Sequence, residues 1–379
     1  MIYFDNSATT KPLAEVCDLV YQDLRDDELW GNPGSLHELG TSAYKAYIKA
    51  KEDIASCLSV REQELVFTSC ATESANTAIR GYLSRNRRSG RTVITTKTEH
   101  RATLSVLEKL SSEGINVIYI DVDKNGCPDL DMLKNSITGD TALLCFTHVN
   151  NETGAILPLK EIIDIRDGSN RNTAVYVDFV QSAGKLKIDL KASGVDLASF
   201  SAHKFHGLKG SGLLYVKNGI RIDPFILGGG QQNGQRSGTE SLYLLRSTAL
   251  ALKMSQEDIE GHLKNVSDIN SYLRTELKKR GATILSPEDA LPYVLNVSFD
   301  GFESETMLHC LERYNIYVST ISACSSKTKK ISYVLEAMGV DRKLATNAVR
   351  LSFSRFNTME EAKIFIEKID EIYQLFALR

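Results

Sequence analysis

The sequence LASFSAHKFHGLKGSGLLYV, from Leu197 to Val216, places two apolar runs on either side of a polar segment that contains Lys204. Short apolar runs bounded by Gly and Ser predict β-strands. The segment between them is rich in His, Ser and Gly, and most lysines in such a loop are solvated surface charges. The role of Lys204 therefore depends on which other residues the fold brings beside it.

Further apolar runs precede this stretch and alternate with helix-like or loop segments. They are ELVFTS (64–69), RTVITT (91–96), NVIYIDV (116–122), TALLCFTHV (141–149) and AVYVDFV (174–180). The alternation predicts an α/β fold whose large domain, residues 15–256, has a mostly parallel sheet of the seven-stranded type between helices. The stretch 239–280 is predicted to be helical and to end at Gly281. Strands and helices also mix beyond it, which predicts a smaller α+β domain formed by residues 1–14 and 257–379.

The composition is that of an ordinary globular protein and gives no sign of a nucleic-acid or membrane partner. Of the 379 residues, 42% are hydrophobic and 25% are charged, and the net charge is -3. No apolar run approaches the ~18 residues that cross a bilayer, and the first residues do not resemble a secretory signal. The seven cysteines form no C-x-x-C pair, which argues against a zinc or dithiol site. We therefore expect a cytoplasmic protein with reduced thiols.

Polar side chains follow several predicted strands, and the carboxyl ends of parallel strands meet at one crevice. A helix start after the first run suits a phosphate, a carboxylate suits a protonated ring nitrogen, and a lysine suits an aldehyde. Together these groups predict pyridoxal phosphate, with Lys204 bonded to its aldehyde. Each group also has a structural interpretation, respectively an N-cap, an ordinary ion pair and a surface charge. The residues are Ser69, Thr72, His100, Asn151, Asp178, Gln181 and Lys204.

The chain resembles the class V pyridoxal-phosphate enzymes of fold type I and, among them, the cysteine desulfurases. The resemblance covers nearly the whole chain and is specific because many short motifs occur in the same order. These motifs are YFDNSATT (3–10), GNPGSLHELG (31–40), FTSCATESAN (67–76), HVNNETG (148–154), VDFVQSAGK (177–185), SAHKFHGLKGSGLLYV (201–216), GGGQQNGQRSGTES (228–241), SACSS (322–326) and VRLSFSRFNTMEEA (349–362).

The resemblance implies a role for each candidate residue. Lys204 resembles the lysine that carries the cofactor, Asp178 would hold the ring nitrogen and Gln181 the ring hydroxyl. His100 would stack on the ring and relay protons, and Asn151 and Arg350 would orient the substrate carboxylate. Ser69, Thr72, Ser201 and His203 would bind the phosphate, and Thr239 would reach the phosphate of a neighbouring subunit in a homodimer with shared sites.

Cys324 distinguishes a desulfurase from other enzymes on this fold, because its thiolate would take the sulfur of L-cysteine as a persulfide and leave alanine. The implied acceptors are an iron–sulfur scaffold or a transfer-RNA thiolation enzyme. A selenocysteine lyase, another class V enzyme and a non-catalytic partner protein remain as alternatives. Four residues depart from the family pattern: Cys70 and Ile321 stand where glycine is usual, Leu208 where proline is common and Ser241 where asparagine is frequent.

Overall fold

The computed structural model describes residues 1–320 and 331–377. Its strands form a seven-stranded sheet, a four-stranded sheet and a two-stranded ribbon. The strands are β1 (Ile2–Tyr3), β2 (Leu65–Thr68), β3 (Thr92–Thr96), β4 (Asn116–Ile120), β5 (Thr141–Thr147), β6 (Ala174–Asp178), β7 (Leu197–Ser201), β8 (Gly212–Val216), β9 (Thr283–Ile284), β10 (Val294–Ser298), β11 (Ile316–Tyr317), β12 (Ser319–Thr320) and β13 (Ala348–Ser352).

The helices lie between these strands along the chain. They are α1 (Ala14–Asp23), α2 (Glu38–Leu58), α3 (Ala71–Arg85), α4 (Arg101–Ser112), α5 (Leu130–Ser136), α6 (Leu159–Ser169), α7 (Leu190–Ser193), α8 (Leu242–Gln256), α9 (Ile259–Lys279), α10 (Ser304–Glu312), α11 (Tyr333–Ala337), α12 (Arg342–Thr346) and α13 (Met359–Ala377). None of the helices in this part of the chain is long and apolar enough to cross a membrane.

The large sheet confirms the α/β fold with a mostly parallel sheet. Its order is β2-β8-β7-β6-β5-β3-β4, and β8 alone runs antiparallel to both of its neighbours. The strands β5, β6, β7 and β8 are buried almost throughout, as expected of a sheet that helices cover on both faces. All seven predicted strands are present, and each carries a polar residue or loop beyond its end.

Separate apolar cores support the two larger sheets. Two clusters cover opposite sides of the seven-stranded sheet, one containing Phe146 and Phe200 and the other Tyr176. A further cluster joins Ile2 and Phe4 to α9, α10, α13 and the antiparallel sheet β12-β13-β10-β9. The domain boundaries at residues 14/15 and 256/257 stay a prediction.

The predicted helical stretch 239–280 is two helices rather than one. The chain breaks between α8 and α9, where Asp258 adopts a left-handed backbone with φ 52° and caps α9 by accepting a hydrogen bond from Gly261 N at 3.2 Å. An Asp tolerates this conformation better than most residues because its side chain bonds locally. Gly281, with φ +80°, follows the end of α9 as predicted.

The helix α11 is held by a buried polar contact at its first turn. Ser332 accepts from Leu335 N at 3.1 Å as the N-cap, and its hydroxyl donates to the buried carboxylate of Glu152. Next to it, Tyr333 donates its hydroxyl to Glu99 O at 3.0 Å. These bonds join α11 to the residues that adjoin Asn151 and His100 in the sequence.

Candidate active site

A cavity of about 230 Å³ lies where β2, β3, β5, β6 and β7 end. It contains most of the residues that the sequence singled out, which confirms that the strand ends meet there. Those that line it are Thr72, His100, Asn151, Asp178, Gln181, Ser201, His203 and Lys204; Ser7, Cys70, Ala71, Ala102, Thr147 and Val180 line it as well. Ser69, Thr239 and Arg350 are not among the lining residues, and Cys324 lies outside the described residues.

Lys204 is not a solvated surface charge. It ends a 3-10 turn, Ala202–Lys204, that follows β7 directly, and its amine points back to the start of the chain. There Nζ donates to the carbonyl oxygens of Ser7 and Ala8, the latter at 2.8 Å. Burial, with a smaller contribution from the Arg350 charge, lowers the pKa of Lys204 to about 8. A substantial fraction of this amine is therefore neutral and nucleophilic near pH 7.

Asp178 and His100 both line the cavity, and the charge of each affects the pKa of the other. Asp178 ends β6 and is 4% exposed, and its Oδ1 accepts from Val180 N at 2.8 Å. Burial raises the pKa of Asp178, whereas His100, the Val180 N–H and Lys204 oppose this increase. Burial lowers the pKa of His100. In the residues that the structure describes, the Oδ2 atom of Asp178 accepts no hydrogen bond, so it can accept one from a ligand.

The orientation of the His100 ring is fixed by its own helix. His100 is the N-cap of α4, and its Nδ1 accepts from Ala102 N at 3.1 Å. The neutral ring must then carry its proton on Nε2, because Nδ1 acts as an acceptor. The cap therefore selects the tautomer and holds the ring at the edge of the cavity.

The start of α3 provides donors for an anion. Cys70 is its N-cap but makes no side-chain cap hydrogen bond, so the first-turn N–H groups at Ala71 and Thr72 have no such partner. Gly212 of β8 passes directly beneath, since a Cβ on it would lie 2.6 Å from the Cys70 Cα. A side chain at 212 would therefore clash with the Cys70 backbone. Cys70 itself has an extended backbone, φ -174°, which any residue adopts, so the absence of glycine at 70 causes no backbone strain.

Ser201 and His203 lie across from this helix start. Ser201 is 3% exposed, and His203 is hydrogen-bonded through Nδ1 to Thr9 Oγ1 at 3.1 Å. Burial lowers the pKa of His203 to about 4, so the ring is neutral at pH 7. The site therefore offers neutral donors around the helix start.

Ser69 is engaged elsewhere. It is exposed, and both its N–H and its hydroxyl donate to Glu73 Oε2, at 2.8 and 2.6 Å. Glu73 in turn accepts from Arg236 Nε at 2.8 Å. This network orients the segment before α3 and leaves the predicted phosphate contact of Ser69 untested.

Arg350 lies behind Asn151. It is 7% exposed, and it donates to Asn151 O at 3.0 Å and to the Asp5 carboxylate at 2.8 Å. Its Nε has no hydrogen-bond partner in residues 1–320 and 331–377. The ion pair with Asp5 is a structural contact, and the unpaired Nε is itself buried, so in this conformation it does not face the cavity.

The N-terminal segment is the part of the site that sequence reasoning missed. Ser7 O accepts from both Lys204 Nζ and Gln181 Nε2, the latter at 3.0 Å. The segment is brought there by β1, which pairs with β11, and by Asn6 N, which donates to Ser352 O at 3.1 Å. The motif YFDNSATT indicated that this segment belongs to the family pattern. It did not indicate the contact with Lys204, because a backbone carbonyl can accept a hydrogen bond whatever its side chain is.

The residues present fit pyridoxal phosphate. The unoccupied Oδ2 of Asp178 suits a protonated ring nitrogen, and the free N–H groups of α3 with Thr72, Ser201 and His203 suit a phosphate. The partly neutral amine of Lys204 suits an aldehyde. Thr239 is exposed and is not among the lining residues, so its predicted role depends on a second subunit and stays a prediction.

Comparison with known proteins agrees with this site. The family model Aminotransferase class-V matches residues 2–365. A curated protein of Lactobacillus delbrueckii subsp. bulgaricus named NifS/IcsS protein homolog is 41% identical to the chain, over 100% of this chain and 98% of its own length. The cysteine desulfurase IscS of Vibrio campbellii is 39% identical, over 97% and 91%.

A solved structure titled NIFS-LIKE PROTEIN superposes with a TM-score of 0.93 at 39% identity, covering 99% of both chains. The matched region includes every strand of the large sheet and every residue that lines the cavity. The chain belongs to the class-V aminotransferase family, within its NifS/IscS-like cysteine desulfurase group.

Proposed function

We propose that the protein is a pyridoxal-phosphate-dependent cysteine desulfurase that converts L-cysteine to L-alanine. The observation that carries the proposal is one cavity in which a partly neutral lysine, Lys204, lies near a buried carboxylate, Asp178, and a buried imidazole, His100. The names of the relatives at 39 to 41% identity support the choice of reaction within the family.

Each residue of the cavity would hold one part of the cofactor. Asp178 would accept a hydrogen bond from the ring nitrogen, Gln181 would contact the ring oxygen, and His100 would lie against the ring. The start of α3, with Thr72, Ser201 and His203, would bind the phosphate. When bound, pyridoxal phosphate supplies an aldehyde that takes up the substrate amine and a ring that withdraws electrons from Cα.

Lys204 and His100 would move the protons of the reaction. With its pKa lowered to about 8, the Lys204 amine can take the proton from the substrate Cα near neutral pH. The His100 tautomer with its proton on Nε2 presents an N–H to the cavity. Arg350, which donates to the Asn151 carbonyl, would orient the substrate carboxylate together with Asn151.

Cys324 would receive the sulfur. In this step the bond between the substrate Cβ and its sulfur breaks, and a sulfur–sulfur bond forms between that atom and the Cys324 thiolate. The overall exchange is balanced: L-cysteine and one enzyme thiol give L-alanine and one enzyme persulfide, without any external oxidant or reductant. The persulfide would then pass to an iron–sulfur scaffold or a transfer-RNA thiolation enzyme.

Mass spectrometry after incubation with L-cysteine tests the proposal. We expect one added sulfur atom on the peptide that contains Cys324 and an equal amount of L-alanine. Cys324→Ser should abolish both, and Lys204→Ala should also remove the visible absorbance of the bound cofactor. Alanine production that survives Cys324→Ser would instead favour a selenocysteine lyase, and a 2-oxo acid that keeps the sulfur would favour a transaminase. A protein that binds no cofactor would be non-catalytic.

We further propose a cytoplasmic homodimer with shared sites, in which Thr239 of one subunit reaches the phosphate site of the other. The exposure of Thr239 and of several large apolar residues near it in sequence, including Leu227 at 78%, supports this arrangement. The large domain would span residues 15–256 and the small domain residues 1–14 and 257–379. Light scattering of the purified protein tests the dimer, and limited proteolysis tests the boundaries.

A further inference from the structure

A second lysine, Lys185, is buried behind the cavity without an acidic partner. It is 6% exposed, and it forms no ion pair within the described ranges 1–320 and 331–377. Its Nζ donates to Gln181 Oε1 at 3.0 Å and lies 5.9 Å from the centre of the Tyr293 ring. Burying a lysine amine costs free energy unless the amine is hydrogen-bonded. The bond from Lys185 to Gln181 is therefore the contact that keeps this amine in the interior.

The contact determines which end of the Gln181 amide faces the cavity. Because Oε1 accepts from Lys185, the Nε2 group points the other way and donates to Ser7 O at 3.0 Å. Rotating the amide by half a turn would place its N–H groups against the Lys185 amine and its oxygen against the Ser7 carbonyl. Both new contacts would be repulsive, since a protonated lysine has no acceptor and a carbonyl has no donor.

The arrangement survives a change in the charge of Lys185. Burial, followed by the charges of Lys204 and Arg350, lowers the pKa of Lys185 to about 7. The amine keeps N–H groups to donate in either protonation state, so Gln181 Oε1 retains its donor on both sides of pH 7. The neutral amine can also accept a hydrogen bond, so above pH 7 the Ser7 carbonyl, which has no donor, is the contact that disfavours the rotated amide. The groups near Lys185 are these two cations, Gln181, His206, whose pKa the Lys185 charge helps to lower, and the Tyr293 ring, whose pKa is raised by burial to about 12.

We propose that Lys185 is a positioning residue that locks the Gln181 amide so that it presents N–H, and not its carbonyl oxygen, to the ring oxygen of the cofactor. The inference rests on the proposed function and deepens it, because it specifies a donor where the family resemblance gives only a contact. Hydrogen bonds link Lys185, Gln181, Ser7 and Lys204 in one series. A rotated Gln181 amide would therefore also disturb the Ser7 carbonyl that accepts from the Lys204 amine.

The cofactor dissociation constant and the visible absorbance of the loaded protein test the inference. We expect Lys185→Met to weaken cofactor binding by about tenfold or more, the usual effect of losing a hydrogen bond to a charged group. Gln181→Met should have a similar effect, and both should shift the visible absorbance maximum in the same direction. The double variant should be no worse than either single one, because both changes remove the same interaction.

Two comparisons keep the result decisive. Lys187→Met removes an exposed lysine two positions away and should leave affinity and spectrum unchanged. Gln181→Glu keeps an acceptor for Lys185 but offers oxygen to the cavity in either orientation, so it should weaken binding by about tenfold even if Lys185→Met fails to fold. Full affinity of Gln181→Glu, or additive effects in the double variant, would overturn the inference. Absence of cofactor binding in the unaltered protein would refute the proposed function instead.

Discussion

The lowered pKa of Lys204 predicts how fast the protein takes up its cofactor at each pH. The change to apply is pH itself, from 6 to 9.5, on protein from which the cofactor has been removed. Only the neutral amine attacks an aldehyde, and a lysine amine loses its proton as the pH rises through its pKa. Burial lowers that pKa from 10.5 to about 8, so the rate should stop rising at about pH 8.

The structure also gives the size of the advantage at neutral pH. With a pKa of about 8, roughly one tenth of Lys204 is neutral at pH 7, whereas about 0.03% of an ordinary lysine with a pKa of 10.5 is neutral. The ratio of the two neutral fractions is about 300 below pH 8 and falls about tenfold per pH unit above it. Burial near Arg350 thus maintains a reactive amine under conditions in which a surface lysine is almost fully protonated.

Stopped-flow absorbance measures the rate at which the cofactor aldehyde bonds to Lys204. The control is a blocked lysine amide with the same cofactor in the same buffers, because dividing the two rates removes the cofactor's own ionisations. The Lys204→Ala variant gives the absorbance change that comes from cofactor binding alone, because it has no amine at position 204 to bond to the aldehyde. A ratio of rates that stays flat to pH 9.5 would show that the Lys204 pKa is ordinary and would refute the account of its burial.

Three substitutions test buried contacts by urea unfolding of the cofactor-free protein; the first two lie beside the site and are also followed by cofactor dissociation, whereas the third lies at the amino ends of β6 and β7. Gly212→Ala should lower the free energy of unfolding by about 2 kcal/mol and weaken cofactor binding, because the new Cβ would lie 2.6 Å from the Cys70 backbone. Ser332→Ala should lower it by about 2 to 3 kcal/mol, since it removes the N-cap of α11 and leaves the Glu152 carboxylate unpaired. Arg166→Met should lower it by about 2 to 3 kcal/mol, since Arg166 is 6% exposed and its loss removes a charged hydrogen bond from the buried Asp196 carboxylate, which keeps Lys217 and Val175 N as partners.

Matched variants give the opposite or a smaller result. Gly168→Ala in α6 meets no atom within 4 Å and should stabilise the protein by about 0.5 to 1 kcal/mol. Asp341→Ala removes only the cap of α12 and should cost about 1 kcal/mol. Arg171→Met, on the exposed surface, should change stability by less than about 0.5 kcal/mol. Equal losses for a site variant and its match would contradict the contact in question.

The strands and the strand-end residues could be predicted because their signals are local. Each buried strand is a continuous apolar run, and a parallel sheet then determines that Thr72, His100, Asp178 and Lys204 share one end. The direction of β8 was less accessible. The loop from β7 to β8 is short enough for β8 to return antiparallel to β7. The sequence alone does not indicate that β2 pairs with the other edge of β8.

The contacts of the site could not be predicted, because they join residues that are far apart in the chain. Arg350 and Asp5 are separated by 345 positions, and nothing in either motif indicates that they pair. The hydrogen bond from Ser69 to Glu73 joins residues only four positions apart, but it was not predicted either. A serine at a strand end can bind a ligand or a neighbouring side chain, and the sequence does not distinguish the two. The break between α8 and α9 depends on the left-handed backbone of a single residue, Asp258. The spacing of apolar residues does not reveal such a break, because it continues to fit a helix on both sides.

The carbonyl groups that receive the Lys204 amine come from residues 7 and 8, yet strand pairing with residues 316 and 352 is what holds them there. During synthesis on the ribosome, residues 7 and 8 must therefore wait until residue 352 has emerged before they reach their final place. Lys204 acquires its full environment only after that point. We therefore expect capture of the vitamin-derived ligand to follow the synthesis of residue 352.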